Sequence, residues 1–137
     1  MAGRYPQRVR IVSVNVGRPA TLEFDGRSVR SAIVKRPVAG RVMVRRTNLD
    51  GDAQADLRVH GGADKAVYVY PAQHYAHWAG ELGRELSPHG YFGENLTVEG
   101  VDEAEVQIGD VVRAGEALLE VSHPRVPCAK LAMRMRD

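Results

Sequence analysis

The chain has 137 residues, enough for one domain with a hydrophobic core and no need of a disulfide. Its composition, 44% hydrophobic and 26% charged, is that of a soluble globular protein and excludes a disordered or fibrous one. Lysine and arginine number 19 against 17 aspartate and glutamate. The net charge of +2 is too even to argue for a nucleic-acid partner, although a local basic patch would still recruit a small anion.

Val9 to Val16 is a β-branched run closed by Gly17-Arg18-Pro19 and reads as a strand. Ala20 to Phe24 and Arg27 to Ser31 read as two strands joined at Asp25-Gly26, a strong hairpin dipeptide. Arg41 to Arg46 predicts a further strand, with Val42 and Val44 alternating against Met43 and Arg45, and Asn48 to Asp52 a turn or loop. The spacing of Tyr75, Trp78, Ala79, Leu82 and Leu86 predicts a helix. Pro71 suits its first position, and Ser87-Pro88 and Gly90 stop it. Asn95 to Val98, Val111 to Arg113 and Ala117 to Ser122 read as short strands ended by Gly100, Gly115 and Pro124, and the tail from Cys128 to Arg136 holds helix formers. Many short strands beside one clear helix predict a mainly β fold, a barrel or a sandwich. A parallel α/β sheet would need several crossover helices.

Cys128 is the one cysteine, so no disulfide forms within the chain and a reducing compartment is expected. Arg4, Arg8 and Arg10 interrupt the start, no apolar segment of a signal peptide follows, and the longest apolar runs, such as Ala66 to Tyr70, fall far short of the roughly 20 residues that span a bilayer. A cytoplasmic protein with no membrane partner is the expectation.

Four segments concentrate polar, glycine-rich or thiol chemistry. In His60-Gly61-Gly62-Ala63-Asp64-Lys65 the glycines would let backbone N–H groups form an anion nest flanked by His60 and Lys65; the alternative is a plain turn between strands. In Phe92-Gly93-Glu94-Asn95-Leu96 the Asn95 amide offers a donor and an acceptor to the edge of a heterocycle, or opens the next strand as an Asx turn, while Phe92 belongs to the core. Ile108-Gly109-Asp110 reads as a tight turn with Asp110 bonding local backbone rather than a ligand. In Pro124-Arg125-Val126-Pro127-Cys128-Ala129-Lys130, a helix N-terminus and the flanking Arg125 and Lys130 would favour the Cys128 thiolate, a soft metal ligand and a nucleophile; the alternative is a buried structural cysteine. His74 and His77 lack the i, i+4 spacing of a helical zinc pair and are expected to face solvent, His123 could approach Cys128, and a structural zinc site is poorly supported.

As an ordered set these segments resemble the MOSC domain, within it the stand-alone bacterial type associated with resistance to N-hydroxylated base analogues. The likeness runs from about Gly51 to Leu131. It takes in Gly51-Asp52-Ala53-Gln54-Ala55, the stretch from Val59 to Tyr70, His74-Tyr75 with Trp78, Phe92-Gly93-Glu94-Asn95-Leu96, Ile108-Gly109-Asp110 and Pro124 to Lys130. The resemblance implies a β-barrel-like fold with one or two short helices, forming a single MOSC domain over residues 1–137. It implies a molybdenum cofactor (molybdopterin) whose metal is coordinated by Cys128, with His60, Lys65, Asn95, Arg125 and Lys130 matching the residues that hold the pterin and its phosphate. It implies reduction of N-hydroxylated compounds, such as N-hydroxylated purine bases, to amines. The electrons come from a partner flavoprotein or haem–flavin reductase. A non-catalytic cofactor or sulfur carrier using Cys128, a binding module without turnover, and a homodimer remain open alternatives. Relatives of this type usually carry Gln where this chain has His123, and continue past the point where this sequence stops, Asp137, into a helical C-terminal segment, so a short natural form and a fragment both stay open. Met133 to Asp137 reads like a helix cut off in progress.

Overall fold

In the computed structural model, which describes residues 7–24, 26–53, 63–101 and 104–122, the first β-branched run forms β2 (Arg10–Val16), and a short strand, β1 (Gln7–Arg8), precedes it. They part at Val9, whose N–H donates to the Arg113 carbonyl at 3.1 Å and whose side chain is buried. Next come β3 (Ala20–Phe24) and β4 (Arg27–Ser31), an antiparallel hairpin in register from Ala20↔Ser31 to Phe24↔Arg27. Then follow β5 (Arg36–Val38), a single 3-10 turn at Ala63–Lys65, β6 (Val69–Pro71), α1 (Gln73–Leu82) and β7 (Leu96–Glu99). β8 (Val111–Ala114) and β9 (Ala117–Glu120) end the described elements.

The strands make a four-stranded sheet in the order β5-β2-β7-β6, a three-stranded sheet β1-β8-β9, and the separate β3-β4 hairpin. β6 and β7 run parallel with α1 between them, one β–α–β crossover. The fold is thus mainly β with one helix, as expected. Its described strands, however, form three sheets that do not close into a barrel, because no ladder joins one sheet to the next.

A register shift between Ile11 and Ser13 decides what each face of the four-stranded sheet carries. A bulge re-phases the alternation of side chains beyond it. Ile11, Val14 and Val16 pack with Leu96 and Val98 of β7 in a core shared with Val9, Leu49 and Ala114. Ser13, Asn15 and Thr97 are left to make hydrogen bonds elsewhere. The second cluster lies under the helix: Tyr75, Leu86, Tyr91 and Phe92, with Tyr70, Trp78, Ala79 and Leu82 against them. Within it the Tyr70 and Phe92 rings are 4.7 Å apart and those of Tyr75 and Phe92 5.1 Å apart, edge-on.

Several elements depart from expectation. Pro71 does not open the helix. It pairs with Val98 at the end of β6, and Ala72 N–H still donates to Val98 O at 2.8 Å, so the ladder outlasts the proline. The helix stops at Gly83, whose φ of 66° is the left-handed conformation glycine adopts without a Cβ clash, so Leu86 reaches the core from beyond the helix. Arg41 to Arg46 forms no strand: Val44 and Leu49 make an isolated bridge across a tight turn, clasped by Arg45 Nε on Asp50 Oδ1 at 2.9 Å. The tail from Cys128 lies outside the described residues.

Candidate functional site

The residues that meet on the polar face of the β2–β7 pair are Asn15, Thr97, Glu94 and Asn95, joined by Tyr75 of α1 and by Asp52 with Lys35. All are nine-tenths or more buried. Burying so many polar groups is stable only when each finds partners, and here they do. Ser13 Oγ donates to Asn15 Oδ1 at 2.6 Å, Asn15 Nδ2 to Thr97 Oγ1 at 3.1 Å, and Thr97 Oγ1 to Glu94 Oε2 at 2.8 Å. The Tyr75 hydroxyl donates to the same Glu94 oxygen at 2.5 Å and accepts from Gly90 N–H and Tyr91 N–H at 3.0 and 3.1 Å. Phe92 N–H completes the Glu94 carboxylate at 3.1 Å. Burial, and secondly the Glu94 carboxylate, push the Tyr75 phenol well above its ordinary range, so it remains a donor at any physiological pH.

The second half of the network centres on Asp52. Its Oδ1 accepts from Lys35 Nζ at 2.6 Å and from Gly17 N–H at 2.9 Å, and its Oδ2 from Asn95 Nδ2 at 2.9 Å. A buried ion pair persists only where further hydrogen bonds satisfy both ions, and Asp52 has them. Asn95 Oδ1 accepts from Tyr68 N–H at 2.9 Å, and the Asn95 backbone N–H returns a bond to the Tyr68 carbonyl at 2.8 Å.

Of the expected site residues, Lys65 and Asn95 are described; His60, Arg125, Cys128 and Lys130 lie outside the described residues, as does His123. Lys65 ends the 3-10 turn and is exposed, three residues before the Tyr68 amide that Asn95 holds. The structure therefore brings Asn95 to the base of the Lys65 segment. Asn95 itself is neither a free heterocycle edge nor a simple Asx turn: both its amide hydrogens go to protein acceptors, Asp52 and the Asn15 carbonyl at 3.3 Å. Against a phosphate-bearing pterin, then, the exposed ammonium of Lys65 fits, and the Asn95 amide has no hydrogen left to give. Asp110 caps its own turn, accepting from Gln107 N–H at 2.9 Å. His77 is exposed as expected, but His74 is half-buried with its ring 5.5 Å from that of Tyr70. A cavity of about 400 Å³ lies against Arg8, Val9, Ile11 and Gly115, none of which belongs to the network or to the expected site.

Asn15 and Lys35 carry no motif and sequence reasoning passed over them. Asn15 alternates with valines as an outward-facing strand residue does, and Lys35 stands beside Arg36 at the end of Ile33-Val34, so neither is marked as buried by its neighbours.

Residues 56–137 match the family described as MOSC domain. The chain belongs to the MOSC domain family. This MOSC chain is 53% identical over 128 residues to the uncharacterized protein YflK of Bacillus subtilis (strain 168), covering 93% of itself and 58% of YflK. It is 40% identical over 129 residues to a protein named Reductase from Gibberella moniliformis, covering 92% of itself and 23% of that relative. The crystal structure of YiiM from Geobacillus stearothermophilus superposes with a TM-score of 0.69 at 40% identity, covering 93% of the MOSC chain and 57% of YiiM. YiiM and YflK are stand-alone bacterial MOSC proteins, and the MOSC chain spans little more than half of either.

Proposed function

We propose that the chain is a molybdenum-cofactor-binding oxidoreductase that reduces N-hydroxylated compounds, N-hydroxylated purine bases among them, to amines. The observation that carries the reading is the MOSC match over residues 56–137, which contains the lone Cys128 together with His60, Lys65, Arg125 and Lys130. A fungal relative that bears the name reductase supports it. The domain is proposed to comprise residues 1–137 and to work in the cytoplasm; among the described residues no helix is long and apolar enough to cross a membrane.

When bound, the molybdenum cofactor would supply the two-electron chemistry that no side chain can. Cys128 supplies the thiolate that anchors the metal. Lys65, His60, Arg125 and Lys130 hold the anionic pterin phosphate, the cations by charge and the imidazole by hydrogen bonding. The reaction takes two electrons and two protons: R–NHOH becomes R–NH₂ and water. The electrons come from a partner flavoprotein or haem–flavin reductase.

The test is the molybdenum and pterin content of the purified chain, wild type beside Cys128→Ala, after expression in a host that makes the cofactor. Near-stoichiometric metal in the wild type, with at least tenfold less in Cys128→Ala at unchanged folding, is the expected result. A folded, molybdenum-free wild type carrying labile sulfur on Cys128 would overturn it in favour of a sulfur carrier. Full reductase activity in Cys128→Ala would overturn the role of Cys128 as the metal's ligand.

A further inference from the structure

We propose that Asn95 is a positioning residue for the Lys65 turn and not a contact to the cofactor: its side-chain amide ties Asp52, on the entry side of the Lys65 segment, to Tyr68, on its exit side and three residues beyond Lys65. The proposal rests on the reading that Lys65 binds the cofactor.

The bonds that make the tie are each on one amide. Asn95 Oδ1 receives Tyr68 N–H at 2.9 Å, and Nδ2 gives one hydrogen to Asp52 Oδ2 at 2.9 Å and the other to Asn15 O at 3.3 Å. The backbone doubles the hold on the exit side, with Asn95 N–H and Leu96 N–H both on Tyr68 O at 2.8 and 3.1 Å. The entry side is fixed by Lys35 and Gly17 on Asp52, by Asn48 Nδ2 on Asp52 O at 3.2 Å, and by Ala53 N–H on Gly17 O at 3.0 Å. Lys65 lies three residues before a residue held at both its N–H and its carbonyl, so the turn that carries it surrenders less conformational freedom on binding. Binding groups held by such a second layer of hydrogen bonds are presented in fewer arrangements. Asn95 is 3% exposed and has spent both hydrogens, so its effect on a ligand passes through the chain it holds.

The test uses the full chain with two substitutions, Asn95→Leu and Asn95→Asp. Asn95→Leu removes the tie at all pH values. Asn95→Asp keeps the acceptor for Tyr68 N–H but sets a carboxylate against Asp52; the other charges facing that point are Lys35 on the far oxygen of Asp52 and Glu94, whose carboxylate is turned to Tyr75, Thr97 and Phe92. Two carboxylates that close share a proton on acidification, which restores the donor. Amide hydrogen exchange in residues 63–68 of the cofactor-free chain, taken as a ratio to wild type at each pH, should rise about tenfold in both variants at pH 8. At pH 5 it should return towards wild type in Asn95→Asp alone. Molybdenum content after expression in a host that makes the cofactor should fall in both variants. Exchange at the wild-type rate in both variants overturns the tie. Unchanged exchange with lost molybdenum makes Asn95 a direct cofactor contact. Acceleration that extends equally to the amides of Val14 and Val98, which open only with the whole domain, makes its role merely structural. If Asn95→Leu does not fold, the near-isosteric Asn95→Asp carries the test by its pH profile. A wild type that binds no cofactor removes the function proposed above and with it the purpose of the tie, while the exchange result still reports whether the tie exists.

Discussion

The Tyr75 hydroxyl shows how much one buried oxygen does in this chain. It accepts from two backbone N–H groups, Gly90 and Tyr91, and donates to a carboxylate that is wholly buried. Tyr75→Phe keeps the ring in its aromatic cluster and deletes only that oxygen. Two N–H donors and one carboxylate oxygen then lose a partner away from water, and the expected loss of stability is on the order of 3 kcal/mol by chemical denaturation. The phenol's folded pKa is raised, first by burial and then by Glu94, so the folded chain holds this proton more tightly than the unfolded chain. That contribution is present in full below the unfolded value of about 10 and is lost as pH rises above it. The wild type should therefore lose stability between about pH 10 and 11 more steeply than Tyr75→Phe. Parallel alkaline slopes would show that Tyr75 ionises as freely in the folded chain as in the unfolded one.

At the scale of elements, the turn between α1 and β7 depends on Gly90. Its φ is +90°, and a Cβ there would stand 3.0 Å from Asn15 Cβ, 3.0 Å from Lys35 Cβ and 3.1 Å from the Lys35 carbonyl. Gly26 in the hairpin turn also has positive φ, +75°, but nothing within 4 Å. Gly26→Ala should cost only the left-handed backbone penalty, about 1–2 kcal/mol. Gly90→Ala adds overpacking of the buried network and should cost about 3 kcal/mol or more by urea midpoint. Equal costs would show that the network gives way around position 90. The same contrast explains which elements could be read from sequence. The hairpin and the helix announce themselves, by Asp25-Gly26 and by the stripe through Tyr75, Trp78, Ala79 and Leu82. β5 and β6 do not. Each has three residues and one of them is proline, Pro37 or Pro71, which reads as a breaker. Both are outermost in the sheet order β5-β2-β7-β6, the position where a missing N–H costs least. Whether a proline lies at an edge is a property of the assembled sheet.

For the whole molecule, the distinction that matters is between what the polar network binds together and what it leaves out. β2, β7, α1, Lys35, Asp52 and the turn at Gly90 share buried side-chain bonds across separations of up to 82 residues, as in Asn15 to Thr97. This is why the site's framework was only half legible. Asp52, Glu94 and Asn95 stood in the segments that carry the family likeness, but nothing in a one-dimensional pattern says that Asn95 would spend its amide on Asp52 and Tyr68. Asn15 and Ser13 look like surface residues of a strand until the bulge after Ile11 turns them towards Thr97 and Glu94. The β3-β4 hairpin, by contrast, pairs with neither other sheet among the described residues, and most of its described side chains are exposed. Regions with few buried contacts open without global unfolding. Hairpin amides from Thr21 to Arg30 should therefore exchange at least about a hundredfold faster, relative to their intrinsic rates, than those of Val14, Asn15, Thr97 and Val98, which should open only with the whole domain. Equal protection in hairpin and central sheet would mean that the hairpin is tied into the same cooperative unit.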